Sequence, residues 1–264
     1  MDELGEFREK TGGVMPAVRP LHMPPWEIPG RVPSSMSPFC DPFSRRPCLT
    51  LCAPPPGRGC AWEEDRRELV RVLSECAAAV TIGKLKAGCS GECARGPLIG
   101  FPHKEFFYVG VVSKDSAAVK NDTLQDGRIL FHLLSVSSRR SYRADIYYDH
   151  ATGLLAAIDD HVCMVEVAKY FLDFEDGVSC GKCVPCRIGV RRARESINRV
   201  ISGRGKKGDL DQIRTLCAIM ELTPNCDYAS SAMRPVKSAI THFEEEFTEH
   251  IERKCRAGVC GFDA

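Results

Sequence analysis

The stretch SCGKCVPCR, at residues 179–187, constrains this chain more than any other. Cys180, Cys183 and Cys186 follow one another at three-residue steps, which bring their sulfur atoms to one side of a short loop. Three thiolates this close would repel one another without a positive centre between them, and an iron–sulfur cluster is normally held by four cysteine thiolates. We therefore predict a 4Fe-4S cluster, with Cys226 in the run LTPNCDYAS as the best candidate for the fourth ligand.

Two other chemistries use cysteines at similar spacing. One is a zinc site, and the other is a redox-active C-x2-C pair. The overlapping triple spacing is less usual for zinc, and a dithiol needs only two sulfur atoms. The cluster is therefore the favoured interpretation.

The totals narrow the class of protein. The 264 residues carry 36 basic and 35 acidic side chains, so the net charge favours neither nucleic acid nor a charged membrane as a partner. No apolar run is long enough to cross a bilayer, and the acidic N-terminus lacks the apolar core of a secretion signal. Fifteen cysteines without an export signal favour metal-bound thiolates and a cytoplasmic location.

Proline usage divides the chain. Twelve of the seventeen prolines lie in the first sixty residues, so we predict a disordered or extended tail over 1–47. The apolar pattern then predicts an α+β protein, in which a small α/β domain precedes an all-α four-helix domain. The predicted bounds are 48–138 for the first domain, 139–158 for a connector or short hairpin, 159–252 for the helical domain and 253–264 for a cysteine-containing tail.

In the first domain the patterns alternate between strand and helix. PCLTLC predicts a strand, 63–80 an amphipathic helix and 80–86 a second strand, and two further strands and a helical segment follow. A β-α-β-β-α order suits a thioredoxin-like sheet with helices packed against it.

A second set of cysteines lies in the loops of this domain. Cys89 and Cys93 stand at C-x3-C beside glycines, which let backbone N–H groups turn toward sulfur. Two sulfur atoms cannot complete a cluster, so we select Cys52 and Cys60, around APPPGRG, as the other pair of a 2Fe-2S site. Cys48 and Cys40 are the reserve ligands.

The run LKAGCSGECARGPLIGFP, followed by FFYVGVV, resembles the thioredoxin-like 2Fe-2S module of respiratory complex I, NAD-linked hydrogenases and formate dehydrogenases. In that family one cysteine pair comes from the first strand–helix loop and the other from a GCxGxC loop. The resemblance implies that Cys89 and Cys93 are the second pair, and that Cys52 and Cys60 occupy the place of the first.

The second half reads as helices. Apolar stripes predict helices over 160–174 and 188–201, another capped by Asp209, and a last one that begins at Pro235 and runs to Ile251. Helices with short connections suggest a small bundle, with the cluster at one end.

This half resembles the C-terminal helical domain of the flavin- and NADH-binding subunit of the same complexes, over TGLLAAIDDHVCMVEVAKYFLDF, SCGKCVPCRIG and RPVKSAITHFEEEFTEHI. In that family three close cysteines and one distant cysteine hold a 4Fe-4S cluster. The ligands that the resemblance implies are Cys180, Cys183, Cys186 and Cys226. The start CMVEVA and the end KCRAGVC are most similar to electron-bifurcating hydrogenases and related formate dehydrogenases.

A third set of ligands follows the last predicted helix. His250, Cys255 and Cys260 form H-x4-C-x4-C, and Cys163 precedes an earlier helix. Three thiolates and one imidazole suit a tetrahedral structural zinc site. The alternative is a frayed tail with free thiols.

The relatives carry a flavin and nicotinamide domain between the two cluster modules, and we find no sign of it here. No G-x-G-x-x-G loop follows a strand, so we expect this chain to bind neither FMN nor NAD and to catalyse nothing alone. The leading hypothesis is an electron-transfer subunit that works with flavin- and NADH-binding and hydrogenase or formate dehydrogenase-type partners. The alternatives are an enzyme fragment whose flavin domain is supplied in trans, or a zinc-stabilised scaffold.

Overall fold

The computed structural model describes residues 37–41, 43–54, 56–76, 80–89, 91, 93, 95–135, 143–222 and 226–262. Within them, short strands fill the first half and helices the second, so the predicted α+β class is confirmed. Residues 1–36 of the predicted tail, the predicted domain boundary at 138–139 and residues 263–264 of the predicted C-terminal tail lie outside the described residues.

The strands are short and mostly buried. In chain order they are β1 (Leu49–Leu51), β2 (Ile82–Lys84), β3 (Lys86–Gly88), β4 (Leu98–Phe101), β5 (Phe106–Val109), β6 (Ile146–Tyr148) and β7 (Leu155–Ala157). Four of them form one sheet in the order β2-β1-β4-β5. In it β1 is parallel to β2, while β4 is antiparallel to both β1 and β5.

The helices follow the apolar stripes of the sequence. They are α1 (Glu63–Ser74), α2 (Ser116–Ala118), α3 (Met164–Val178), α4 (Arg191–Ile201), α5 (Lys207–Leu222), α6 (Asp227–Ala232), α7 (Arg234–His242) and α8 (Glu244–Ile251). A π-helical segment at Val119–Gln125 continues α2, and another at Pro185–Val190 leads into α4.

Helix α1 connects β1 to the parallel strand β2. Its first turn carries three carboxylates, which suit the positive end of the helix dipole, and Leu69 and Leu73 lie one turn apart and fully buried. The helix ends at Ser74, earlier than the predicted Val80, because the N–H groups of Glu75 and Cys76 bond to carbonyls three residues back and close the last turn.

The second sheet joins the two halves of the chain. Its order is β3-β7-β6, with both pairs antiparallel, so the strand before Cys89 bonds to the segment predicted as a connector or hairpin. Thr50 also donates a hydrogen bond of 2.5 Å to the carbonyl of Ile158. One continuous core then runs from these strands into the helical half.

The described part of the predicted tail contacts this fold. Phe39 is buried, and its ring lies 5.5 Å from that of Phe101 and 5.7 Å from that of Phe106. A disulfide joins Cys40 to Cys48, so neither of these reserve ligands offers a free thiol. The reserve assignment is therefore wrong.

The last predicted helix is two helices. The break is at Phe243, where α7 ends and α8 begins with Glu244, Glu245 and Glu246. The apolar spacing continues across the break, which is why the sequence alone predicted one helix. Three acidic residues in a row are typical of a helix start, because they complement its dipole.

Candidate metal centres

The SCGKCVPC segment lies between α3 and α4, at the end of the helical half. Cys180 and Cys183 precede the π-helical segment, and Cys186 lies inside it. Such segments occur frequently at functional sites. Cys186 is buried, Cys183 is half-buried and Cys180 is exposed.

Cys226 approaches from the other side. It immediately precedes α6, with an extended backbone and an exposed thiol. Burial, together with the charges of Cys183, Cys226 and Cys180, raises the pKa of the Cys186 thiol to about 11. The structure thus places the other three predicted ligands within electrostatic reach of Cys186.

A glycine allows α5 to pack against this segment. A Cβ at Gly189 would lie 2.8 Å from the Sδ atom of Met220, a distance that real side chains do not tolerate. The four thiols are a soft donor set of the kind that iron–sulfur clusters take, so these residues fit a 4Fe-4S cluster. Lys182, between Cys180 and Cys183, and Arg187, directly after Cys186, are exposed.

The second site lies where the loop between β1 and α1 meets the loop between β3 and β4. Its four thiols each follow or precede a regular element: Cys52 follows β1, Cys60 lies shortly before α1, Cys89 follows β3 and Cys93 precedes β4. Burial, together with the charges of Cys60 and Cys89, raises the pKa of the Cys52 thiol to about 11, although the hydrogen bond from the Leu98 N–H lowers it. The pairs that the sequence joined are therefore close in space.

Backbone N–H groups point at three of these sulfur atoms. Leu98 N–H donates to Cys52 over 3.2 Å, Gly91 N–H to Cys89 over 3.2 Å, and Trp62 N–H to Cys60 over 3.4 Å. Hydrogen bonds to sulfur stabilise thiolates and tune iron–sulfur centres. This donor set fits a 2Fe-2S cluster.

The loop of Cys89 and Cys93 is held against the loop of Cys60. Gly91 has φ +94°, and a Cβ there would lie 2.5 Å from the carbonyl oxygen of Gly59. Trp62 donates its indole N–H to the Cys93 carbonyl over 2.8 Å. Trp62 was not among the predicted site residues. The signal in the sequence that could have identified it is its position two residues after the predicted ligand Cys60.

The last two thiols of this site interact directly. A hydrogen bond from Cys93 lowers the pKa of Cys89 to about 6, and the same bond raises the pKa of Cys93. Cys89 is therefore the thiol of this pair that ionises first, and the thiolate is the form that binds iron.

The third predicted set forms the most compact group. Its ligand atoms, from Cys163, His250, Cys255 and Cys260, all lie within 4.8 Å of one another. His250 Nε2 is 3.3 Å from Cys163 Sγ and 3.4 Å from Cys260 Sγ. We call this group the thiolate–imidazole site.

The histidine of this site is prepared for ligation. His250 Nδ1 lies 2.7 Å from the carbonyl oxygen of Glu246, so Nδ1 carries the proton and Nε2 is the free lone pair. Burial lowers the pKa of His250, which favours the neutral form that a metal needs. Cys163 and His250 are fully buried, so these donors fit a structural zinc ion.

Two findings bear on the remaining expectations. Among the described residues, no helix has the length and apolar character that a membrane crossing requires. The isolated thiol of Cys217 is buried among the helices, as expected for a cysteine on an apolar face.

Part of the chain is similar to known proteins. Residues 166–250 match the NADH-ubiquinone oxidoreductase-F iron-sulfur binding region. The NADP-reducing hydrogenase subunit HndC of Solidesulfovibrio fructosivorans is 39% identical over 110 residues, which are 41% of this chain and 22% of that protein. A NADH-quinone oxidoreductase F-type subunit of Rhizobium meliloti is 37% identical over 102 residues, which are 38% of this chain and 24% of that protein.

The match covers only part of each relative. This chain spans 22% and 24% of the lengths of those two curated relatives. A solved chain of NAD+-reducing [NiFe]-hydrogenase in the H2-reduced state overlaps with a TM-score of 0.34 and 28% identity, over 36% of this chain and 16% of that one, too little to inform the fold. The resemblance of residues 166–250 to the 4Fe-4S region of F-type NADH-quinone oxidoreductase subunits is thereby established.

Proposed function

We propose that this chain is an iron–sulfur electron-transfer subunit of an NAD(P)-linked oxidoreductase complex of the hydrogenase, formate dehydrogenase or complex I kind. The observation that carries the proposal is the match of residues 166–250 to an iron–sulfur binding region, around a segment in which Cys180, Cys183 and Cys226 lie within electrostatic reach of Cys186. We assign Cys180, Cys183, Cys186 and Cys226 to a 4Fe-4S cluster, which passes one electron at a time.

The residues of the proposed 4Fe-4S site have different roles. Cys186 and the buried residues beneath it keep water from one side, while Cys180 and Cys226 reach the surface, where an electron-transfer partner has access. Lys182 and Arg187 are exposed beside the ligands and offset the negative charge that four thiolates bring.

We assign Cys52, Cys60, Cys89 and Cys93 to a 2Fe-2S cluster. Three N–H···S hydrogen bonds support the assignment. The strand order β2-β1-β4-β5, with a helix after β1 and a helical segment after β5, supports a thioredoxin-like domain over 48–138. The helices after residue 159 support a helical domain over 159–252, with 139–158 between the two.

We assign the thiolate–imidazole site to zinc. Its four donors lie within 4.8 Å, and the hydrogen bond to His250 Nδ1 fixes the tautomer that zinc requires. Zinc here joins the start of α3 to the end of α8 and to the C-terminal tail, a structural task.

The partners that we propose are other subunits of such a complex. The matched residues are 22% and 24% of the two relatives, and both relatives are named as subunits. We propose that flavin and nicotinamide binding belong to another subunit, in the cytoplasm. The same coverage favours one second candidate, a part of an NADH:acceptor oxidoreductase whose flavin domain is supplied in trans.

Anaerobic reconstitution with iron and sulfide, followed by EPR of the reduced protein, tests the cluster assignments. We expect two distinct spectra, of which Cys186→Ser abolishes one and Cys93→Ser the other. Cys217→Ser is the matched control because it removes a buried thiol from the same helical half and should leave both spectra intact. A single spectrum, or the loss of both in either variant, would contradict the two-cluster assignment.

A further inference from the structure

A buried ion pair connects the thiolate–imidazole site to the strand that leads to the second cysteine site. Lys86, in β3, places its Nζ atom 2.5 Å from Glu246 Oε1, in α8. The two side chains are 7% and 2% exposed. A pair so deeply buried is expensive to desolvate, which argues for a specific role rather than for stability alone.

The Glu246 residue makes two further contacts toward the thiolate–imidazole site. Its Oε2 accepts the N–H of Met164 over 3.1 Å, at the start of α3 and next to Cys163. Its backbone carbonyl accepts the Nδ1–H of His250 over 2.7 Å. One residue therefore contacts the proposed donor His250 and the neighbour of a second proposed donor, Cys163, at the same time.

The Lys86 residue is linked to the other site through its strand. It pairs with Ala157 in the second sheet, and Cys89 follows it by three residues. Its Nζ also donates to the carbonyl of Val162 over 2.8 Å, just before Cys163. A shift of α8 relative to α3 is thus passed to β3 through one rigid ionic contact.

We propose that Glu246 is a positioning residue through which zinc binding at the thiolate–imidazole site fixes the loop of Cys89 and Cys93. The inference rests on the proposed zinc and 2Fe-2S assignments and adds a coupling between them. With zinc bound, His250 and Cys163 hold Glu246 in place, and Glu246 holds Lys86 and β3. Without zinc, α8 and the start of α3 separate more easily, and the Cys89 loop loses its support.

The test uses the full chain reconstituted with iron and sulfide, with and without added zinc. The readout is the rate at which an iron chelator removes the 2Fe-2S EPR signal. In the wild-type chain we expect omission of zinc to speed this loss by about tenfold, in the usual range of coupling between sites. In the double variant Lys86→Met with Glu246→Gln, which keeps an acceptor for the Met164 N–H, we expect the zinc effect to fall below about twofold.

The control is Glu245→Gln, on the same helix, where the carboxylate is exposed; it should respond to zinc as the wild type does. If the double variant does not fold, Glu246→Asp decides, because it withdraws the carboxylate by one methylene and should weaken the zinc effect. Equal zinc effects in the wild type and these Glu246 variants, or none in the wild type, would overturn the coupling alone. Wild-type protein that binds no zinc, or gives no 2Fe-2S signal, would overturn the proposed assignments and the coupling with them.

Discussion

The thiolate–imidazole site and the SCGKCVPC site both hold four ligands, yet they differ in burial. Cys163 and His250 have no exposed surface, whereas Cys180 and Cys226 are open to solvent. The first set is enclosed by α3, α8 and the C-terminal tail, and the second lies at the end of the helical half. Buried ligands suit a metal ion with a structural role, whereas a cluster that transfers electrons must lie close to the surface.

The largest expected effect is the removal of zinc. Structural zinc binds with about 10–16 kcal/mol in small domains, so its loss should lower the free energy of unfolding by several kcal/mol. Urea denaturation of zinc-free and zinc-loaded protein measures this difference, and Cys255→Ser should reproduce it. The loss of the exposed cluster in Cys186→Ser should cost less. If Cys186→Ser lowered the free energy of unfolding more than Cys255→Ser, the expected difference between the buried thiolate–imidazole site and the more exposed SCGKCVPC site (the enclosed and the open site) would be contradicted.

The next effect concerns the support of the enclosed site. Lys86→Met alone leaves the buried Glu246 carboxylate without its cation, which should cost about 3–5 kcal/mol. The control is Arg256→Met, which breaks the more exposed pair of Arg256 with Glu249 of the same helix, where a loss of about 1 kcal/mol or less is expected. Chemical denaturation monitored by circular dichroism compares the two, and equal losses would contradict a special role for the buried pair.

A smaller effect is expected at the pairing of α4 with α5. Burial alone would raise the pKa of Asp209, but hydrogen bonds from Arg199 and from the Lys206 N–H outweigh it and hold the pKa below 3.8. Because the folded pKa is the lower one, this stabilisation is present above pH 3.8 and disappears as the pH falls through the folded value.

We therefore expect Asp209→Asn to lower the free energy of unfolding by about 1–3 kcal/mol at pH 7, and the gap to wild type to close in acid. Melting temperatures measured from pH 7 to pH 3 test this. Asp211→Asn, at an exposed carboxylate of the same helix, should show little difference at any pH. A gap for Asp209→Asn that stays constant with pH would exclude the carboxylate as its cause.

The smallest effect concerns the charges around the open site. Arg187→Gln removes an exposed positive charge next to Cys186, and the reduced cluster, being more negative, loses more stabilisation than the oxidised one. The reduction potential should become slightly more negative, by the equivalent of about 1 kcal/mol or less, and less so in high salt. Redox titration followed by EPR measures it, with Arg192→Gln as the control. A positive shift would contradict the electrostatic account.

The sequence was informative where the determinants are local. Cysteine spacing and apolar periodicity depend on neighbouring residues, so the ligand sets, the main helices and the strands of the first sheet could be predicted. The ligand sets themselves stay predictions until metal is measured. The fourth ligand Cys226 and the distant Cys163 required resemblance or donor chemistry rather than spacing alone.

The features that escaped prediction depend on distant contacts. The pairing of β3 with β7 joins residues about seventy positions apart, and no sequence pattern in either strand predicts which strand it will pair with. The same holds for the contact of Lys86 with Glu246 and for the disulfide that removes Cys40 and Cys48 from the reserve ligands. Strand pairing and buried ion pairs depend on how distant segments pack together in the folded core.

The shared second sheet has a consequence for any attempt to divide the protein. Cutting the chain after residue 138 would strip β3 of the strand it bonds to and leave a row of unsatisfied N–H and C=O groups at an open edge. Exposed edges of that kind recruit other chains and aggregate. Each half covers a strand edge of the other, so the two halves should be expressed and purified as one chain.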